Sequence, residues 1–193
     1  MDNETWGQTD EELVHLSLTH PRSFGLLIDR YEAKLRRYLG RLGHMRTEDL
    51  DDLLQETFMK AYQNLNEFDL TLKFSSWIYR IAHNETISFF RHNHARPEGH
   101  SVMLTNEMLE TMASEINVVE LAERADSRGQ ISESINKLDK IYREVVILKF
   151  FEDKSYEEIS SILMIPPGTV ATRLNRAKAK IAEMMNNKGY IHG

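Results

Sequence analysis

Apolar residues recur every three or four positions along most of the 193-residue chain. That spacing lines one side of an α-helix, and no stretch alternates apolar and polar residues long enough to make a convincing sheet. A first helix is expected after Thr9, because Glu12 follows three residues later in the capping-box pattern. Pro21 interrupts it. From Arg22 to Arg41 the residues Phe24, Leu27, Ile28, Tyr31, Leu35, Tyr38 and Leu39 return to one side. Thr47 is a candidate cap for the next helix, whose apolar positions are Leu50, Leu53, Leu54, Phe58, Ala61 and Leu65. "NEFDLTLKF" reads as a polar loop, and "KFSSWIYRIAHNETISFFRHNHARP", Lys73 to Pro97, reads as a further helix and its exit.

The pattern weakens at residues 98–129, which hold Gly99, Gly129 and many glutamates, and these are predicted to be a flexible acidic linker with at most transient helix. It resumes at Ile131. "ISESINKLDKIYREVVILKFF" and "SYEEISSILM" each carry an apolar stripe, followed by "IPPGTVATRLNRAKAKIAEMM". Two apolar helices, a tight connection and a third helix that is basic outside make a helix-turn-helix candidate. The predicted fold class is therefore all-α. Residues 1–97 form one helical domain, 98–129 link, and 130–193 form a second, helix-turn-helix domain.

Charge sharpens the second domain. The chain's net charge of −6 argues against nonspecific coating of nucleic acid. The charge is unevenly spread, at about −3 for residues 1–96, −5 for 97–130 and +2 for 131–193. Stepping 100° per residue from Val170 puts Leu174, Ala177 and Ile181 within about 40° of it, a buried stripe. Thr172, Asn175, Arg176 and Ala179 fall opposite, flanked by Arg173, Lys178 and Lys180. Short polar or bidentate groups facing base edges, with cations at the margins for phosphates, is what a DNA-reading helix needs. By periodicity alone, an amphipathic helix with a solvated charged face fits equally well. Pro167 suits a first helical turn, and the exposed amides there suit a phosphate.

The Lys73–Pro97 stretch holds more aromatic and basic side chains than one buried face requires. Lys73, Trp77, Arg80 and Asn84 share a stripe, next to an apolar one of Phe74, Ile78, Ile81 and Ala82. A structural account would bury Trp77, pair Arg80 with a carboxylate and leave Asn84 as a surface amide. Asp51, Asp52, Gln55 and Glu56 lie on the polar side of their helix, which by composition is a solvated acidic face.

Other chemistry is thin. With no cysteine there is no disulfide and no thiolate metal site. The polar, acidic start "MDNETWGQTDEEL" is unlike a secretory signal or transit peptide, and no apolar run approaches the ~18 residues that span a bilayer. A cytoplasmic location without membrane insertion is expected. His92, His94 and His100 lie close in sequence but lack a fixed carboxylate or cysteine partner, so neither metal nor other cofactor is expected. No phosphate loop, glycine-rich fingerprint or nucleophile motif points to an enzyme.

Three segments together carry a family resemblance. "SYEEISSILMIPPGTVATRLNRAKAKI" resembles the final helix-turn-helix of bacterial RNA polymerase sigma factors of the extracytoplasmic-function (ECF) group, commonly S-Y-x-E-I-A-x-x-L-G-I-P-x-G-T-V-K/R-S/T-R-L. "FSSWIYRIAHNETISFFR" is similar to the group's F-x-S/T-W-L-Y/F-R-I-A-x-N segment, and "DDLLQETFMKAYQNLNEF" to its D-L/V-L/V-Q-E-T/A-F segment. Order and spacing match across nearly the whole chain outside the linker.

The resemblance implies a transcription initiation factor that binds core RNA polymerase, recognises −10 and −35 promoter elements and promotes melting. The −10 element would be captured as single-stranded DNA, with Asn84 in a pocket for a flipped base and the loop Phe68 to Ser75 as its wall. Phe68, Lys73, Phe74, Trp77, Arg80, His83, Asn84, Arg91 and Arg96 are the residues implied there. Thr169, Ala171, Thr172, Arg173, Asn175, Arg176 and Lys178 are implied for the duplex −35 element. Asp51, Asp52, Gln55, Glu56 and Phe58 would dock on the clamp of the polymerase's largest subunit, and the second domain on the flap of the second-largest. The acidic linker would thread toward the polymerase active site and RNA exit path, and an anti-sigma factor is the expected inhibitor.

Three departures stand out. Met164 occupies a turn position where the group often has glycine, so strain at positive φ predicts an adjusted turn. Ser160 replaces a small alanine where helices pack. Ala171 stands where Lys or Arg is usual, which weakens the expected backbone contact. The competing function is a free-standing helix-turn-helix regulator that binds duplex DNA as a dimer.

Overall fold

The computed structural model describes residues 7–43, 45–93 and 127–189. Nearly all of linker 98–129, together with Arg96, His94 and His100, lies outside them. The chain forms two compact units, gathered in the main from the helices before and after that segment.

In the amino-terminal unit, α1 spans Asp10–Thr19. Its capping box is complete: the Thr9 hydroxyl accepts the Glu12 amide at 3.2 Å and the Glu12 carboxylate accepts the Thr9 amide at 2.7 Å. A 3₁₀ turn at Pro21–Ser23 leads into α2, Phe24–Leu42. The predicted stripe Phe24, Leu27, Tyr31, Leu35, Tyr38 and Leu39 is buried, with Ile28 at its edge.

Helix α3 spans Thr47–Gln63, and its cap is Arg46, not Thr47. Arg46 is extended, and its guanidinium forks onto the Asp49 carboxylate at 2.9 Å on both arms. The guanidinium can only donate, so it caps no first-turn amide, and its bonds to Asp49 hold that carboxyl below its usual range. "NEFDLTLKF" is not simply a polar loop. Leu65–Glu67 makes a 3₁₀ turn, and Leu65 and Phe68 are buried and anchor it.

Helix α4, Phe74–His92, closes the unit with Phe74, Ile78, Tyr79, Ala82 and Phe90 inside. Two aromatic groups join the helices. Tyr31, Phe68 and Trp77 ring Phe74 at centroid distances of 5.6, 5.7 and 5.7 Å. Tyr38 packs on Tyr79 at 5.0 Å and stacks near His83 at 6.5 Å.

In the carboxyl-terminal unit, α5 spans Ser127–Lys137, so the helix begins inside the segment read as linker and includes Gly129. The stripe read as one helix from Ile131 to Phe151 breaks at Leu138–Asp139. There Asp139 turns extended and caps α6, Lys140–Val146. The apolar spacing continues across the break, which hides it in the sequence. A π-turn, Ile147–Phe151, follows α6, closed by the Glu152 amide on the Ile147 carbonyl at 3.2 Å. Val145, Val146, Ile147 and Leu148 are all fully buried, as expected of a helix enclosed on every side. Helix α7, Tyr156–Leu163, and helix α8, Pro167–Gly189, complete the helix-turn-helix.

Candidate nucleic-acid interface

Helix α4 divides its side chains between core and surface. Lys73 caps it and is exposed, Trp77 and Arg80 are half-buried, and Asn84 is exposed, so the predicted stripe does share one face. Trp77 packs on Phe68 at 5.1 Å and remains partly open to solvent. Arg91 and His92 are exposed at the carboxyl-terminal end.

Phe74 and His83 do not join that surface. Phe74 is 1% exposed at the centre of the aromatic ring of residues. His83 is 8% exposed, with Nδ1 3.0 Å from the Tyr38 hydroxyl. Both belong to the layer under the stripe, because Tyr31 and Tyr38 on α2 pack on their side of the helix. Phe68 is also buried and supports the loop from inside. The loop beyond it is held by Asp69, whose carboxylate accepts the Thr71 amide at 2.9 Å and hydroxyl at 2.7 Å. Those bonds, the amide first, hold the Asp69 carboxyl below its usual range. Leu70 and Leu72 stand out at 48% and 49% exposure, two apolar side chains displayed beside Lys73. The alternation D-L-T-L-K was their sequence signal.

On α3, Asp51, Asp52 and Gln55 are exposed and Glu56 half-buried. Asp51 pairs with Arg36, and Glu56 lies 3.5 Å from Lys60, which also holds Glu85 at 2.7 Å. Phe58 is buried at the floor of a groove of about 610 Å³ lined also by Ile28, Leu54, Met59 and Tyr62. Met59 and Tyr62 are 45% and 44% exposed, a displayed apolar pair missed by the sequence reading. Their spacing of four and seven from Gln55 is the pattern that reveals them.

In the second unit, α7 starts with another complete capping box, Ser155 with Glu158, at 2.8 and 3.2 Å. It ends at Met164, which takes the left-handed conformation at φ 54°, ψ 45°. The turn is therefore kept rather than adjusted, and methionine bears the strain. Ser160 does more than fill space: its hydroxyl donates to the Ile165 carbonyl at 2.6 Å, and its own carbonyl accepts the Ile165 amide at 3.2 Å. Together they fasten the turn that launches α8.

The phase predicted for α8 is the phase observed. Val170, Leu174, Ala177 and Ile181 are fully buried, while Thr172, Asn175, Arg176 and Ala179 are exposed. Thr169, Ala171, Arg173 and Lys178 lie at the margins, half-buried. The Thr172 hydroxyl donates to the Gly168 carbonyl at 2.8 Å, which leaves its oxygen as an acceptor. Lys180 is tied down, 3.5 Å from Asp139 and over the Tyr142 ring. Burial pushes the Glu144 carboxyl above its usual range, opposed by Lys140 and Arg173. Among the described residues no group of His, Asp or Glu is placed to hold a metal ion, and no helix is long and apolar enough to cross a membrane.

Family comparison agrees with both halves. Residues 27–96 match the model of sigma-70 region 2, and residues 128–181 that of sigma-70 region 4. The chain is 33% identical over 175 residues to the ECF RNA polymerase sigma factor SigW of Bacillus subtilis, covering 86% of this chain and 90% of that one. The chain belongs to the ECF sigma factors. It is thus a transcription initiation factor, and the free-standing regulator is not favoured, since such a protein has no use for a region 2 domain. Two solved structures share the fold. CnrH, in complex with the cytosolic domain of CnrY, aligns with a TM-score of 0.67 at 24% identity, over 93% of this chain and 99% of that one. The sigma factor RpoE of Bartonella quintana, in complex with the anti-sigma factor NepR, aligns at 0.60 and 20%, over 86% and 98%.

Proposed function

We propose that this ECF sigma factor reads its promoter with two separate helical faces while docked on core RNA polymerase through α3. The α4 face of Lys73, Trp77, Arg80 and Asn84, with the Phe68–Ser75 loop, holds the −10 element as single-stranded DNA. Asn84 reads an extruded base by its hydrogen-bonding edge. Trp77 offers a stacking surface, worth ~1–3 kcal/mol per base. Lys73, Arg80 and Arg91, with Arg96 beyond the described residues, meet phosphates. Phe74 and His83 support this face from beneath. On α8, Thr169, Thr172, Asn175 and Arg176 face the −35 duplex, with Arg173 and Lys178 toward its backbone. Asp52, Gln55 and Glu56 engage the clamp of the largest polymerase subunit beside the Phe58 groove, and the second domain engages the flap of the second-largest. The factor works in the cytoplasm and is restrained by an anti-sigma factor, a reading supported by the structure of RpoE in complex with the anti-sigma factor NepR.

The observation that supports this reading is the split of α4: Phe74, Ile78, Tyr79 and Ala82 fill its buried side, while Asn84 is exposed and Trp77 and Arg80, on the same stripe, remain partly open to solvent. Open-complex formation by Asn84→Ala holoenzyme on promoters substituted base by base in the −10 element tests it. The expected outcome is slower opening and lost discrimination at one −10 base, with −35 affinity unchanged. Equal responses of mutant and wild type to every −10 substitution would remove Asn84 from the pocket.

A further inference from the structure

Helix α4 lacks the amino-terminal device that α1 and α7 possess. Its cap residue, Lys73, makes no side-chain bond to the first turn, and no acidic residue lies in that turn. A helix start leaves several amides unpaired and carries partial positive charge, so it wants an acceptor and a negative group. Both come from α1: the Glu11 carboxylate accepts the Phe74 amide at 3.1 Å, across 63 residues of sequence. The turn's own backbone bonds come from Ser76, which closes a 3₁₀-type bond to the Lys73 carbonyl at 3.1 Å, and from Trp77, which reaches the same carbonyl at 3.3 Å.

The neighbouring residue fixes the platform from which Glu11 reaches. Asp10 accepts hydrogen bonds from the Arg30 guanidinium and the Tyr31 hydroxyl on α2. Burial and that bond to Asp10 push the Tyr31 phenol far above its usual range, so it stays a donor. The Tyr31 ring meets Phe74 edge-on at 5.6 Å, and Phe74 in turn carries Phe68 and Trp77. Adjacent carboxylates on one turn of α1 therefore grip α2 and the start of α4. All of α1 precedes residue 27, where the match to region 2 begins.

We infer that Glu11 is a positioning residue for −10 capture: by capping α4 from outside, it sets the first turn that carries Lys73, Phe74 and Trp77, and with it the wall of the base pocket. The inference rests on the assignment of α4 to single-stranded DNA. Gln keeps the acceptor oxygen and loses only the charge, while Ala removes both. Glu11→Ala should free the first turn, whereas Glu11→Gln should largely hold it.

The experiment uses full-length factor assembled with core polymerase and a fluorescent single-stranded oligonucleotide bearing the non-template −10 sequence. Glu11→Ala should weaken oligonucleotide binding about fivefold, the scale of one lost helix cap, and reduce discrimination among −10 bases. Glu11→Gln should bind within about twofold of wild type. Ser17→Ala serves as a stability control. The Ser17 hydroxyl is buried on α1 and donates to the Leu13 carbonyl at 2.6 Å, a bond made wholly within α1. It should shift the melting temperature without changing oligonucleotide binding. Wild-type binding by Glu11→Ala, or equal losses in Ala and Gln variants, or the same loss in Ser17→Ala, would overturn the inference. Asn84→Ala in the same assay separates the two levels. A silent Asn84→Ala beside a responsive Glu11→Ala removes the base pocket but keeps Glu11 as the positioner of α4. A responsive Asn84→Ala beside a silent Glu11→Ala does the reverse.

Discussion

Met164 is 70% exposed in a backbone conformation that costs an L-residue roughly 1–2 kcal/mol. What keeps it there is Ser160, whose hydroxyl and carbonyl hold both polar groups of Ile165. The pair makes opposite predictions for two small substitutions. Met164→Gly should stabilise the carboxyl-terminal unit by up to about 1 kcal/mol, the relief of strain being partly offset by a looser unfolded chain. Ser160→Ala should destabilise it by about 1 kcal/mol through the lost hydrogen bond. Differential scanning calorimetry of the full chain reads both, and a lower transition in Met164→Gly would mean that the methionine side chain contributes more by packing than its backbone costs. Residues of this kind mark the limit of what a sequence discloses. The Thr9–Glu12 capping box is legible because donor and acceptor lie three residues apart; Ser155 with Glu158 has the same spacing, which the sequence reading missed. Glu11 is invisible because its partner amide is on another helix, and at α3 the cap position falls one residue before the hydroxyl of Thr47, on Arg46, which is extended and whose side chain accepts no first-turn amide.

At the scale of helices, periodicity was a good guide to which face is buried and a poor guide to where a helix stops. On α8 the 3.6-residue repeat set every buried position from Val170 to Ile181 correctly. Between α5 and α6 the apolar spacing runs on through Asp139, so nothing in the pattern announces the break. His83 and Phe74 show a related limit. Periodicity gives a direction around an axis, but whether that direction is surface or core depends on neighbours such as Tyr38 and Tyr31. The agreement on α8 makes Ala171 informative, because it lies half-buried at the margin where the family usually has a cation. Ala171→Arg should add a phosphate contact in the −35 complex and steepen the log–log salt dependence of binding by about one unit, with base preference unchanged. Fluorescence anisotropy of the full chain with core polymerase on a −35 duplex, across a salt series, measures the slope. An unaltered slope would put position 171 away from the DNA.

For the molecule as a whole, the proposed function makes a net charge of −6 compatible with binding DNA, since on that reading affinity is shared with polymerase. Lys73, Arg91, Arg176 and Lys180 are exposed at α4 and α8, other exposed cations such as Lys34 and Arg37 lie on α2, and α3 carries the exposed carboxylates Glu48, Asp51 and Asp52. The carboxylates differ in how free they are. Asp51 is engaged by Arg36, and Glu56 shares Lys60 with Glu85, so reversing either would disturb the fold's own ion pairs. Asp52 is exposed on the same face and next to the groove lined by Leu53, Glu56 and Phe89, which makes it the cleaner probe of docking. Asp52→Lys should leave the thermal transition of the amino-terminal unit in place, since an exposed helix position tolerates either charge. It should weaken association with core polymerase by several kcal/mol if the carboxylate faces a basic clamp, because a complementary contact becomes a repulsive one. The loss should shrink as salt rises, unlike a loss caused by unfolding. Competition with a labelled wild-type factor for core enzyme, at two salt concentrations, reads affinity and screening together. Undiminished competition would move the dock from Asp52 toward the apolar pair Met59 and Tyr62, and a salt-independent loss would point to a packing defect in α3.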